Sequence, residues 1–132
     1  MERRKIESFE DLEVYQRLFE LHLEIHELSL TFPKFELREL GSQIRRSSNS
    51  APANLAEGWS NKHIKIYLEG INRAQGEVRE TRHHLKVAKY IEEEKFRDLI
   101  NRYDECGRML KNLEKSLAKW SKPKTQNLTP NT

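Results

Sequence analysis

The sequence predicts an all-α fold, an antiparallel up-and-down four-helix bundle, and three observations carry that expectation. Near the start, Val14, Leu18, Leu21, Ile25, Leu28 and Phe32 recur at spacings of 4, 3, 4, 3 and 4. Near the end, Phe96, Leu99, Tyr103, Cys106, Leu110, Leu113, Leu117 and Trp120 recur at 3, 4, 3, 4, 3, 4 and 3. Such spacing lays one apolar stripe along one side of a helix. The third observation is composition. With 36% hydrophobic and 34% charged residues in 132, the chain is polar for a thick layered fold but ordinary for long helices that each show a face to water. Its length leaves room for one core, since domains of about 100 to 150 residues commonly share one.

The first helix is expected over residues 9 to 31. Ser8 is placed to cap it, and Asp11 answers three residues later as in a capping box. A second apolar set, Leu12, Tyr15, Phe19, Leu23 and Leu30, widens the arc beyond what one partner helix covers, so this helix needs neighbours on two sides. Phe32-Pro33 ends it, because proline has no N–H and drives its predecessor out of helical geometry. The second helix is expected over 35 to 57, with Leu37, Leu40, Ile44, Ser47, Ala51 and Leu55 inward. Pro52 either kinks it or opens a restarted helix. Gly58 is suited to a left-handed cap, and Ser60 or Asn61 to opening the next helix. The third helix, 62 to 90, carries the seam Ile64, Tyr67 or Leu68, Ile71, Ala74, Val78, Thr81, Leu85 and Ala88. Its glycines, Gly70 and Gly76, would each cost about 1 kcal/mol in an exposed helix, so close packing is expected at both. The fourth helix, 94 to 119, follows Glu92-Glu93-Glu94, whose charge suits a helix N-terminus.

Three segments result: an extension over 1–8, the bundle over 9–120, and a tail over 121–132 rich in Ser, Lys, Pro, Thr and Asn, expected to be disordered. Charge runs straight from Glu2 to Lys5, so no secretory leader is expected, and no apolar run reaches the roughly 20 residues that span a bilayer. A cytoplasmic setting follows. Cys106 is the only cysteine and sits on the last stripe, where a buried thiol is expected. The net charge of +3 hides an asymmetry: residues 1–60 hold 8 basic and 11 acidic groups, and residues 61–132 hold 16 and 10. Such a balance permits a polyanionic partner without requiring one.

Residues 43–58 read Gln43-Ile44-Arg45-Arg46-Ser47-Ser48-Asn49-Ser50-Ala51-Pro52-Ala53-Asn54-Leu55-Ala56-Glu57-Gly58. With Leu12-Glu13-Val14, Phe32-Pro33 and Ala74-Gln75-Gly76-Glu77-Val78-Arg79-Glu80, this stretch resembles the bacterial four-helix-bundle proteins encoded within intervening sequences of 23S ribosomal RNA genes. The resemblance spans about residues 8 to 118. It implies a ring-like homopentamer. It also implies kinship in fold with the accessory variability proteins of diversity-generating retroelements, basic pentamers that bind nucleic acid and work with a reverse transcriptase. Ser47, Asn49, Glu77 and the pair Gly70-Ile71 depart from the family's usual residues.

The leading nucleic-acid candidates are Arg79, Arg82, Lys86 and Lys89, spaced 3, 4 and 3 and so on one helical face, with Lys62, Lys65 and Arg73 extending the charge toward the helix start. Such a row suits successive phosphates; the alternative is a solvated face neutralised locally by Glu77 and Glu80. Arg45, Arg46, Asn54 and Glu57 are the polar members of the signature around Pro52 and Gly58. They read either as a recognition patch or, more economically, as partners for backbone groups freed at Pro52, with Arg46 reaching Glu57 or either reaching a neighbouring helix. His22 and His26, and Glu80 with His83, have metal-ligand spacing, but the second limb of a di-iron bundle site is missing. No metal, cofactor or catalytic set is expected. Two functions therefore compete: an oligomeric adaptor for RNA or DNA, or a ring that presents its surface only to proteins.

Overall fold

The computed structural model describes residues 5–60 and 62–121, apart from the side chains of residues 120 and 121. Four helices follow one another, α1 (Glu13–Ser29), α2 (Leu40–Gly58), α3 (Ile64–Val87) and α4 (Glu93–Ser121), with no strand among the described residues. Each packs on the next, and α4 closes back on α1. This is the all-α, up-and-down four-helix bundle that the stripes predict. No helix among the described residues is long and apolar enough to cross a membrane. The expected tail begins inside α4 at Ser121; its remainder, 122–132, the expected cap Asn61 and the burial of Trp120 lie outside the described residues.

The capping box forms, but on a separate turn. Ser8 Oγ accepts from the Glu10 amide at 3.2 Å, and the Asp11 carboxylate accepts from the Ser8 amide at 3.1 Å. They close a 3₁₀ turn over Phe9–Asp11; Leu12, extended at φ −71° and ψ 125°, then breaks the chain before α1. The break turns Phe9 back onto Tyr15, edge to face at 5.0 Å. Within α1, Val14, Leu18, Leu21 and Ile25 are buried as the seam predicts, and Phe32 is buried beyond the helix end. The second apolar set divides. Leu12 and Tyr15 are half-buried against the core, whereas Phe19, Leu23 and Leu30 remain 46%, 51% and 57% exposed.

The second helix starts five residues later than expected, after a 3₁₀ turn over Lys34–Glu36. The backbone leaves helical geometry at Glu39, at φ −99° and ψ −100°. Arg45 holds the connection before it, its guanidinium donating to the Leu37 carbonyl at 2.7 Å and to Ser29 Oγ at 2.8 Å. Leu37, expected inward, is only half-buried. Of the two expectations for Pro52, the restart does not occur: α2 runs through Pro52 unbroken. Pro52 has no N–H to give the Ser48 carbonyl four residues back; Asn54 Nδ2 donates to the Ser50 carbonyl, at 2.8 Å, and does not replace that bond.

Gly58 is not a left-handed cap, for no glycine among the described residues has positive φ. It is the last residue of α2, and its role is proximity: a Cβ on Gly58 would lie 2.9 Å from Gly70 Cα, and one on Gly70 would lie 2.7 Å from the Asn54 carbonyl oxygen. The backbones of α2 and α3 therefore touch at this crossing. Further along, Ser47 Oγ and Thr81 Oγ1, both buried, share a 2.8 Å hydrogen bond. Gly76 has no such reason, because the nearest atom to its Cβ would be Arg79 Nη2 at 3.8 Å. Ser60 accepts from the amides of Lys62 and His63 at 3.1 Å each, which closes the turn before α3 and does not cap it: the helix starts at Ile64, two residues later than expected, with His63 as its N-cap and no side-chain cap bond. The helix ends at Val87, three residues early, and Tyr67 rather than Leu68 occupies the seam. On α4, Leu99, Tyr103, Cys106 and Leu110 are buried, while Phe96, Leu113 and Leu117 are half-buried.

Candidate nucleic-acid interface

The seven predicted cations fall in three places rather than along one continuous row. Arg79, Arg82 and Lys86 share a flank of α3, but Lys89 lies past its end and so leaves the helical row. Arg73 lies toward α2, 2.5 Å from Glu69, in a groove with Asn54, Glu57, Gly58 and Gly70. Lys62 and Lys65 stand at the start of α3, exposed beside Ile64 and Ile66.

Arg82 is not a free surface cation. Its Nε sits 2.8 Å from Asp104 Oδ1, tying α3 to α4, with both side chains about a third exposed. Arg79 and Lys86 are exposed and have no ion pair among the described residues. The local neutralisation by Glu77 and Glu80 is directed elsewhere. Glu80 engages Arg46 of α2 and, at 3.2 Å, His84 Nε2, while Glu77 lies 3.8 Å from Arg46. Burial pushes the Glu77 carboxyl upward, with the Glu80 charge adding to it against Arg46. Partial burial also opposes ionisation of Glu80, but its hydrogen bonds to Arg46 and His84 win and hold it below its ordinary value. These carboxylates thus bind α2 to α3 and leave the α4-facing flank of α3 positive.

That flank meets cations the linear reading missed. Arg79 and Arg82 line a groove of about 340 Å³ between α3 and α4, together with Arg108 and Lys111 of α4. The signal was present: Arg108, Lys111 and Lys115 are spaced 3 and 4 and share a helical face. His84, also missed, is buried beneath Glu80, whereas the metal-spaced His83 is exposed. Among the described residues no group of three or more His, Cys, Asp or Glu converges to hold a metal ion.

The signature residues act within the fold. Arg45 clasps the α1–α2 connection, Arg46 reaches α3 instead of Glu57, Asn54 serves α2's own backbone and Gly58 permits the α2–α3 contact. Only Glu57, in the groove with Arg73, has no structural partner among the described residues.

The family model for 23S rRNA-intervening sequence proteins matches residues 10–112. Among solved structures, a protein of unknown function from the S23 ribosomal protein family of Bacteroides thetaiotaomicron VPI-5482 is similar, with a TM-score of 0.67 and 25% identity over 77% of this chain and 95% of that one. No curated protein matches the chain.

Proposed function

This chain belongs to the 23S rRNA-intervening sequence protein family, and we propose that it is a non-catalytic, cytoplasmic, oligomeric adaptor that binds RNA or DNA. The observation that carries this reading is the flank of α3 where Arg79 and Lys86 stand exposed, with their nearby carboxylates drawn off by Arg46 and by the Arg82–Asp104 pair. Cations left unpaired on a rigid helix bind phosphates by releasing counterions. Self-association has separate support, because Phe19 and Leu23 of α1 and Leu30 at its C-cap form an exposed apolar stripe that one subunit leaves uncovered. The five-membered ring and a reverse transcriptase as protein partner rest on the resemblance alone.

Fluorescence anisotropy with a labelled single-stranded RNA and a duplex DNA, titrated at several salt concentrations, tests the binding. The pair to replace is Arg79→Gln with Lys86→Gln, since Arg82 also joins two helices. The double variant should bind every sequence more weakly, with a log affinity against log salt slope shallower by about 2 on duplex DNA. Light scattering tests assembly, and a stable mass near 15.7 kDa contradicts it. An intact oligomer that ignores both polymers at low salt leaves the protein-only scaffold, the reading favoured by the α1 stripe.

A further inference from the structure

The groove between α3 and α4 contains a glycine that the fold does not require. Gly107 lies in mid-α4, and a Cβ built on it would meet nothing within 4 Å. Its φ is not positive, so conformation does not demand glycine either. Gly58 and Gly70 show what a packing glycine looks like here, with backbone atoms at or under 3.0 Å from the added carbon. Alanine at 107 would strengthen the helix. What glycine supplies instead is bare backbone in the groove, between the α3 cations Arg79 and Arg82 and the α4 cations Arg108 and Lys111. The one carboxylate lining the groove, Asp104, is occupied by Arg82 at 2.8 Å. Arg79, Arg108 and Lys111 have no ion pair among the described residues.

We propose that this groove seats the phosphodiester backbone of a single nucleic-acid strand, with Gly107 as its floor. Arg79 on one wall and Arg108 and Lys111 on the other neutralise neighbouring phosphates, while Arg82, fixed by Asp104, sets the position of the α3 wall. The proposal rests on the nucleic-acid reading above and narrows it. A positively charged groove that tracks one backbone is the form a single-strand site takes, and the bare floor lets that backbone come close. A duplex, stiff over about 150 base pairs, meets only the rim. Charge alone would serve both polymers; the bare floor serves the single strand.

The test uses the full chain, a fluorescein-labelled single-stranded RNA and a duplex DNA at low salt. Gly107→Leu fills the floor without changing charge, and Arg108→Gln with Lys111→Gln removes the α4 wall. Lys34→Gln with Arg38→Gln, both exposed, removes the same charge outside the groove. Both groove variants should weaken single-strand binding about tenfold or more. The off-groove pair should cost about threefold or less, and Gly107→Leu should leave duplex binding within about twofold of the parent. Circular dichroism and light scattering establish that each variant keeps its helices and mass. If Gly107→Leu does not fold, the exposed Arg108 and Lys111 pair decides alone. A parent that binds while the groove variants lose no more than the off-groove pair overturns the groove and leaves the nucleic-acid function standing. A parent that binds neither polymer overturns both.

Discussion

Glycine to alanine substitution should change stability in opposite directions at two positions in this bundle. A Cβ on Gly70 would sit 2.7 Å from the Asn54 carbonyl oxygen and 3.0 Å from Gly58 Cα. Ordinary contact is about 3.5 to 4.0 Å between carbons, so α2 and α3 would have to part by roughly 0.5 to 1 Å. Both obstructing groups are backbone and cannot swing aside. Overpacking of this kind costs about 1 to 3 kcal/mol, and the upper end applies where backbone meets backbone. Helix propensity returns about 1 kcal/mol, leaving Gly70→Ala about 2 kcal/mol less stable than the parent. At Gly107 nothing lies within 4 Å and only the propensity gain remains, so Gly107→Ala should be about 0.5 to 1 kcal/mol more stable. Urea denaturation at one fixed protein concentration measures both, with midpoints moving apart by about 1 to 2 M. A neutral or stabilising Gly70→Ala would refute the assignment of backbone contact at the α2–α3 crossing, and a destabilising Gly107→Ala would refute the open space at Gly107.

Other consequences follow from single side chains. Leu110 is fully buried, so Leu110→Ala should cost about 2 to 5 kcal/mol by chemical denaturation, and a loss under about 0.5 kcal/mol would put it on the wrong face. The Tyr103 hydroxyl is buried with no hydrogen-bond partner among the described residues; Tyr103→Phe should therefore gain about 1 kcal/mol, and a loss would mean the hydroxyl is satisfied. Arg102, hydrogen-bonded to Glu24 and aided by Lys95, pulls its carboxyl from 4.5 down to about 2. The unfolded chain then takes up that proton first, so the stability Glu24 gives above pH 4.5 is lost as pH falls toward about 2. Since the Glu24 and Arg102 side chains are about a third exposed, Glu24→Gln should cost about 1 kcal/mol at pH 7, after screening, and flatten the acid limb. Parallel acid limbs for parent and variant would contradict this.

Most of the helical layout was legible because a heptad stripe and a proline are local signals. Val14 to Ile25, Leu99 to Leu110 and the Phe32-Pro33 break needed only spacing and the chemistry of proline. What escaped depends on residues distant in sequence. The late start of α2 lies at the non-helical Glu39, in a connection that Arg45 clasps through the Leu37 carbonyl, and an arginine eight residues on carries no mark of that contact. Glycine has several uses, and only the neighbouring backbone tells them apart: Gly58 is a contact and not a turn, Gly70 is a contact, and Gly76 is neither. The α3 cations were readable as a row, but Arg82's role depends on Asp104, 22 positions away and on another helix. Arg108 and Lys111 drew no attention on α4 alone, and the fold sets them beside Arg79. A groove belongs to two helices, and one helix's periodicity cannot announce it.

Two seams of the bundle are fastened by different chemistry. Where α2 meets α3, backbones touch at Gly58 and Gly70 and a neutral Ser47–Thr81 bond lies inside. Across the α1–α4 seam, Arg17 reaches Glu105, and Glu24 receives both Lys95 and Arg102. Across α2–α3, acid and salt release only the Arg46 pairs with Glu77 and Glu80 at the surface and leave the touching backbones, whereas across α1–α4 they loosen the ion pairs that join the helices. Local opening under such conditions therefore begins with α1. Its amides should exchange with deuterium ahead of those in α2 and α3, and the molecule would come apart as a door hung on the α1–α2 connection, with Arg45 as the pin.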